Sequence, residues 1–191
     1  MYERYFESFR KKAHLSDEEQ EIVKGYLSVK KIRKRQYLLQ EGDVDKVIAF
    51  VEKGTLRSYS VDEDGNEHIV QFAIEGWFIS DLYSFLTGEP ATYNIDALED
   101  SELVVISRSA YDELLLKSTS YQTYIFHQIT SAYIALQKRI TSSNSLSPEQ
   151  RYKSFIATYP EIVQRIPQHM IASYLGVKPE TLSRIRRRMV L

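Results

Sequence analysis

Between residues 38 and 106 the hydrophobic residues of this chain change their spacing, and that change limits the folds open to it. Short runs rich in Val, Ile, Tyr and Phe, at 47–52, 55–61 and 67–73, are punctuated by Gly42, Gly54, Gly65 and Gly76, which fall about eleven residues apart. The runs predict strands, and glycines at this interval give the rhythm of hairpins in a β-roll or jelly roll. Asp62, Glu63, Asp64, Gly65 and Asn66 predict a hairpin turn in which Gly65 takes the positive φ such turns need. A last strand is expected at 103–106.

Helical spacing flanks this region. Ser16 and Glu19 fit the N-cap and N3 positions of a capping box ahead of a helix over about 17–27. After Ser109 a short helix is expected at 111–117 and a long one at 121–141, where Tyr121, Ile125, Ile129, Ala132, Leu136 and Ile140 recur every three or four residues. The long helix would run about 30 Å. Packing within its own domain is one reading of its stripe; the stripe exceeds what a small β-roll covers, so a homodimeric coiled coil is expected. The polar stretch 141–147, ending before Pro148, reads as a hinge. The expected organisation is a sensor domain at 1–117, a dimerisation helix and hinge at 118–146, and a reader at 147–191. The fold class is α+β.

Composition removes other classes. The 191 residues suffice for one large or two modest domains, and the absence of cysteine rules out disulfides, thiolate zinc sites and cysteine-ligated iron–sulfur clusters. No apolar run approaches the roughly 20 residues that span a bilayer. Residues 1–12 alternate charges with aromatics and lack a signal peptide's apolar stretch, so a cytoplasmic location is expected. From Ser147 to Leu191 there are eight Lys/Arg against three Asp/Glu, while the remainder carries 17 basic and 23 acidic residues. A basic C-terminal module on an acidic body suits a nucleic-acid reader joined to a regulatory domain. No catalytic constellation, His-x-His pair or glycine-rich phosphate loop stands out, and His14, His68, His127 and His169 form no pattern; no enzyme, metal or cofactor is expected, although composition alone leaves haem open.

Residues 166–189 carry the densest signal. Pro167 can open a helix running to Leu175, Gly176 breaks it, and Pro179 opens a second at the N1 position, where its missing N–H costs nothing. Ala172 is small where the helices would cross, Val177 follows the glycine into the core, and Ile171, Leu175, Leu182, Ile185 and Met189 complete an apolar face. This is the pattern of a helix-turn-helix. With those residues inward, Glu180, Thr181, Ser183, Arg184, Arg187 and Arg188 point outward. Arg184 suits guanine O6 and N7 and Glu180 suits cytosine N4. Ser183 fits a base or a phosphate, while Thr181, Lys178, Arg187 and Arg188 fit phosphate oxygens.

Together these parts resemble the Crp/Fnr superfamily of bacterial transcription regulators. The specific pieces are the run Gly176-Val177-Lys178-Pro179-Glu180-Thr181-Leu182-Ser183-Arg184-Ile185, similar to the family's recognition helix, and residues 76–97, which align without a gap to its phosphate-binding cassette. The resemblance implies a cyclic-nucleotide-binding-like β-roll, a homodimer through the 121–141 helix, a palindromic operator in double-stranded DNA, and RNA polymerase as a partner. Only residues 159–165 separate the preceding helix from the helix-turn-helix, which implies a reduced wing. The competing reading is a small-molecule-binding or interaction protein whose helix-turn-helix is a scaffold.

Within the cassette, Ser80-Asp81 stands where nucleotide binders have Gly-Glu, and Ala91-Thr92 where they have Arg-Ser or Arg-Thr. Ala91 offers a phosphodiester neither charge nor donor, and a charge-assisted hydrogen bond contributes about 1.5–3 kcal/mol. No Lys, Arg or His lies between Gly76 and Ser107. Arg57 or another distant residue is left to reach in, and the effector is expected not to be cyclic AMP. Ser80, Asp81, Leu82, Tyr83, Ala91, Thr92 and Tyr93 are the candidate ligand residues; with Trp77 and Phe85 the aromatics read equally as a small-molecule cavity or as core.

Overall fold

The computed structural model describes residues 2–190; Met1 and Leu191, the outer bounds of the expected sensor and reader, lie outside the described residues. The chain divides into two units. The first comprises the residues up to Ser60 with Gln71–Thr130, and the second comprises Val61–Val70 with the residues from Ser131 onward. No helix among the described residues is long and apolar enough to cross a membrane.

The first unit is an antiparallel β-roll clad by helices. One sheet has the order β1-β8-β3-β6, from Ser28–Ile32, Ser101–Ser107, Val47–Lys53 and Phe78–Ile79; the other has the order β2-β7-β4-β5, from Tyr37–Leu39, Asn94–Ala97, Leu56–Val61 and Glu67–Ala73. Strands β3 and β8 explain the apolar runs in the sequence, because both faces of their sheet are covered. Ala49 and Val51 of β3 and Leu103 and Val105 of β8 join Ile32, Leu39, Leu56 and Ile95 in the core between the sheets. The alternating Ile48, Phe50, Val104 and Ile106 join a second core with the helices.

Those helices are α1 (Glu3–Arg10), α2 (Asp17–Lys24), α4 (Arg108–Lys117) and the start of α5 (Thr119–Ser145). The Ser16–Glu19 capping box forms as expected. Helix α1 is where the sequence offered only charges among aromatics; Tyr5, Phe6 and Phe9 are its buried side. The remaining helix of this unit, α3 (Leu82–Thr87), lies in the cassette.

Helix α5 does not stop at 141 as expected. It runs to Ser145, so only Leu146 and Ser147 separate it from α6 (Pro148–Thr158). Ser, Thr and Asn weaken a helix without breaking it. The stop comes from the next helix, whose N-cap Ser147 forms a capping box with Gln150 and whose N1 is Pro148. Helices α7 (Pro160–Arg165), α8 (Gln168–Leu175) and α9 (Pro179–Val190) follow, and Tyr152, Phe155, Ile162, Ile166, Ile171, Ala172, Leu182 and Ile185 are buried. The residues 159–165 that separate the preceding helix from the helix-turn-helix are largely α7, and no strand follows residue 147 among the described residues.

Two glycines with positive φ sit in different surroundings. Gly65 turns the β4–β5 hairpin at φ +82° with open space about it, whereas a Cβ on Gly54, at φ +103°, would overlap the Ser101 side chain and lie 2.8 Å from its Cα. Gly54→Ala should therefore lower stability by about 3 kcal/mol, from strain and overpacking together. Gly65→Ala should lower it by only about 1–2 kcal/mol, the left-handed backbone alone. Urea unfolding of the two variants measures the difference.

Candidate functional site

In the second unit the residues singled out as a reader share one helix face. Gly176 caps α8 in the left-handed conformation at φ 64°, and the Val177 N–H donates to the Ala172 carbonyl at 3.0 Å, closing the turn before α9. Leu182 and Ile185 are buried and Met189 half-buried, so one side of α9 is fixed inward. Glu180, Ser183, Arg184, Arg187 and Arg188 are exposed on α9, Lys178 is exposed just before it, and Thr181 is half-buried. Glu180 and Arg184 are four residues apart, one above the other on the helix.

A contact that sequence reading missed ties α8 to the β4–β5 hairpin. The Ser173 hydroxyl donates to the Glu67 carbonyl at 2.8 Å and accepts from the Ile69 N–H at 3.0 Å, in effect extending the strand edge with one side chain. Arg139 of α5 donates to the carbonyls of Val70, Ile69 and Tyr174, and its guanidinium lies 4.1 Å from the centre of the Tyr174 ring. Within this unit a cavity of about 530 Å³ is bordered by His68, Arg139, Arg151, Phe155, Ser173 and Tyr174, among others. Arg139 gave no signal in the sequence because it reads as an ordinary polar residue on a long helix.

In the first unit the cassette is built around two buried carboxylates. Asp81 caps α3, accepting from the Ser84 N–H at 3.1 Å, while its other oxygen accepts from the Thr92 N–H at 3.0 Å and the Thr92 hydroxyl at 3.3 Å. Asp45, just ahead of β3, accepts from the Ser80 hydroxyl at 2.9 Å, the Asp81 N–H at 2.8 Å and the Val47 N–H at 3.2 Å. Burial pushes the Asp45 carboxyl above the ordinary carboxylate range, against the pull of these donors. Nothing in the spacing marked Asp45, which is 36 residues from Asp81.

The other candidates do not converge there. Ala91 is buried between the sheets, with its N–H on the Asp43 carbonyl and its own carbonyl accepting from Gly42. Leu82 and Tyr83 are exposed on α3, and Tyr93 is half-buried. Trp77 packs on the core between the sheets and Phe85 belongs to the aromatic core under the helices, so these two rings are core. Arg57 does not supply the missing cation. It is buried and paired with Asp96 at 2.8 and 3.0 Å, 4.1 Å over the Tyr59 ring.

Comparison with known proteins gives these parts a context. Residues 29–118 match the cyclic nucleotide-binding domain. Over 169 residues, 82% of the chain, the sequence is 27% identical to the fumarate and nitrate reduction regulatory protein of Vibrio cholerae, and over 185 residues, 90% of the chain, it is 27% identical to the anaerobic regulatory protein of Haemophilus influenzae. The matches span 66% and 70% of those two proteins. The fold resembles FixK2 from Bradyrhizobium japonicum, with a TM-score of 0.73 at 16% identity, covering 85% of this chain and 84% of that one.

The hairpin that Ser173 engages is braced at its turn by Asp62. Its carboxylate accepts from the His68 ring at 2.8 Å and from the Asn66 N–H at 2.8 Å, and these bonds, that of His68 foremost, hold its pKa down at about 2. A depressed folded-state pKa contributes stability that is complete above the ordinary carboxylate pKa and is lost as pH falls through about 2. Carbon-detected NMR titration should place Asp62 near that value, and His68→Ala should move it upward toward the ordinary range.

Proposed function

We propose that the chain is a Crp/Fnr-type regulator, a homodimeric, sequence-specific DNA-binding transcription regulator whose effector is not cyclic AMP; the match of residues 29–118 to the cyclic nucleotide-binding domain and the likeness to the regulators of Vibrio cholerae and Haemophilus influenzae support this reading. The observation that carries the reading is the exposed face of α9. Glu180 and Arg184 stand free of cover on a helix whose opposite side is packed, whereas a helix-turn-helix serving only as scaffold would have that face sealed. Arg184 presents a planar fork to guanine and Glu180 an acceptor to cytosine. Lys178, Thr181, Arg187 and Arg188 hold the phosphates, and Ser183 a base or a phosphate. RNA polymerase would be met in the cytoplasm once the operator is bound.

The homodimer is supported by the far side of α5. Its first turns are anchored by buried Tyr121, Tyr124 and Ile125, but Phe126, Ile129, Tyr133, Leu136 and Ile140 are 67%, 44%, 58%, 52% and 53% exposed. Their spacing, three and four in alternation, is the heptad seam of a coiled coil, and a seam that matches itself is best covered by a second copy. Two recognition helices would then address half-sites about 34 Å apart.

The effector reading rests on charge. With Ala91 in the core and Arg57 bound to Asp96, the cassette has no cation to meet a phosphodiester. Calorimetric titration with cyclic AMP should show no micromolar binding. Selection from random duplex DNA should give a palindromic consensus. Arg184→Ala should relax its guanine preference by about 1–3 kcal/mol per half-site. Arg187→Ala should weaken all sequences alike and flatten the salt dependence. A non-palindromic or sequence-blind outcome would overturn the reading.

A further inference from the structure

The cavity of about 530 Å³ in the second unit has the size of a small-molecule site, and its charged wall is of one sign. Lys138 and Arg139 come from α5, Arg151 from α6 and His68 from the β4–β5 hairpin; every other polar side chain on the wall is a hydroxyl, and among the described residues no Asp or Glu borders it. His68 is answered by Asp62 at 2.8 Å. The two arginines are not answered. Both are half-buried, and among the described residues neither pairs with a carboxylate. Arg139 gives three of its five N–H donors to the carbonyls of Val70, Ile69 and Tyr174, whereas Arg151 gives one, to the Ser143 carbonyl at 3.2 Å. The Arg151 Nε is buried with no hydrogen-bond partner. A guanidinium does not shed such a demand by losing its proton, and a buried donor left unpaired destabilises the fold until an acceptor arrives. Phe155 borders the same cavity, with the Tyr159 and Tyr174 ring centres 5.5 and 5.4 Å from its own, so one wall is aromatic.

We propose that this cavity is a ligand site for a small organic phosphate, its phosphate held by Arg151 with Lys138 and Arg139 adding positive charge, and its body against the rings of Phe155, Tyr159 and Tyr174. A phosphate monoester brings up to two negative charges and three acceptor oxygens to these cations, where a carboxylate brings one charge and two oxygens. A planar guanidinium matches the phosphate with a fork of donors, and the orphaned Arg151 Nε belongs to that fork. The aromatic wall suits an organic ester over the free ion, since ligand sites combine apolar lining with a few placed polar groups. The site shares no residue with the cassette or with α9, so it goes beyond the functional reading above and does not rest on it. Its occupant would touch α5, α6 and α8 at once, and α8 is the first helix of the helix-turn-helix.

Calorimetric titration of the full chain with phenyl phosphate, at ionic strength held fixed with sodium chloride, tests the site. Phenyl phosphate should bind saturably, one per chain. Inorganic phosphate, which lacks the ring, and benzoate, which lacks the second charge, should both bind more weakly. Arg151→Gln should weaken phenyl phosphate roughly tenfold to 100-fold, the loss of a charge-assisted hydrogen bond. Lys153→Gln removes a charge from the same helix outside the cavity, where Lys153 pairs with Glu149, and should bind as the wild type does. The wild type alone decides the matter if Arg151→Gln does not fold: the Arg151 Nε–H resonance should shift saturably with phenyl phosphate while the Thr92 amide stays still. Equal binding of the three anions, full affinity in Arg151→Gln, an equal loss in Lys153→Gln, or a silent Arg151 resonance would each overturn the proposal. Operator selection is scored separately, so failure here leaves the DNA-binding reading standing.

Discussion

Phe9 of α1 stacks on Tyr124 of α5 with ring centres 4.3 Å apart and planes 8° from parallel; around them Tyr5 meets Tyr124 and Phe50 edge-on, Phe50 meets Phe78 edge-on, and Tyr121 meets Tyr111 edge-on. This aromatic core fixes where α5 begins. It fills the helix side of β3 and β8, so the sheet, the N-terminal helices and the first turns of α5 can only form together. The packing tolerates local imperfections: the buried hydroxyls of Tyr5 and Tyr121 have no hydrogen-bond partner, at a typical cost of about 1–3 kcal/mol each. Edge-to-face and stacked ring pairs contribute about 0.5–1.5 kcal/mol each beyond area burial, and several converge on Tyr5 alone.

The same economy of charge governs the rest of the first unit. An arginine buried among apolar residues destabilises unless it is paired, and Arg57 satisfies that demand with the bidentate Asp96 and the Tyr59 face. Having done so it has no charge to offer a ligand. Asp45 and Asp81 face the opposite demand and meet it with N–H groups and hydroxyls in place of cations. A roll that matches the cyclic nucleotide-binding domain thus has its electrostatics satisfied from within, by one ion pair on the sheet and two buried, hydrogen-bonded carboxylates.

How much of this could be read from the residues depends on whether the signal was local. The helix-turn-helix was legible because Gly176 and Pro179 punctuate the backbone and the apolar positions between them have one period; Glu67–Ala73 was legible because both its ends are marked. The polarity of 141–147 signals a break that the backbone does not make before Ser145, because no glycine or proline interrupts the helix before Pro148. β1 was missed because its lysines face solvent and only Ile32 is buried. Asp45, Arg139 and Ser173 were invisible for a different reason: each acts through a backbone group far away in sequence, and no spacing encodes that.

That non-local class of contact also organises the second unit. The backbone passes between the two units three times, on either side of the hairpin segment Val61–Val70 and again within α5. Arg139 belongs to α5 and bonds the hairpin and α8 at once. Within the second unit, Arg139 and Ser173 thus tie α5, the hairpin and α8 together through backbone groups that lie far apart in sequence.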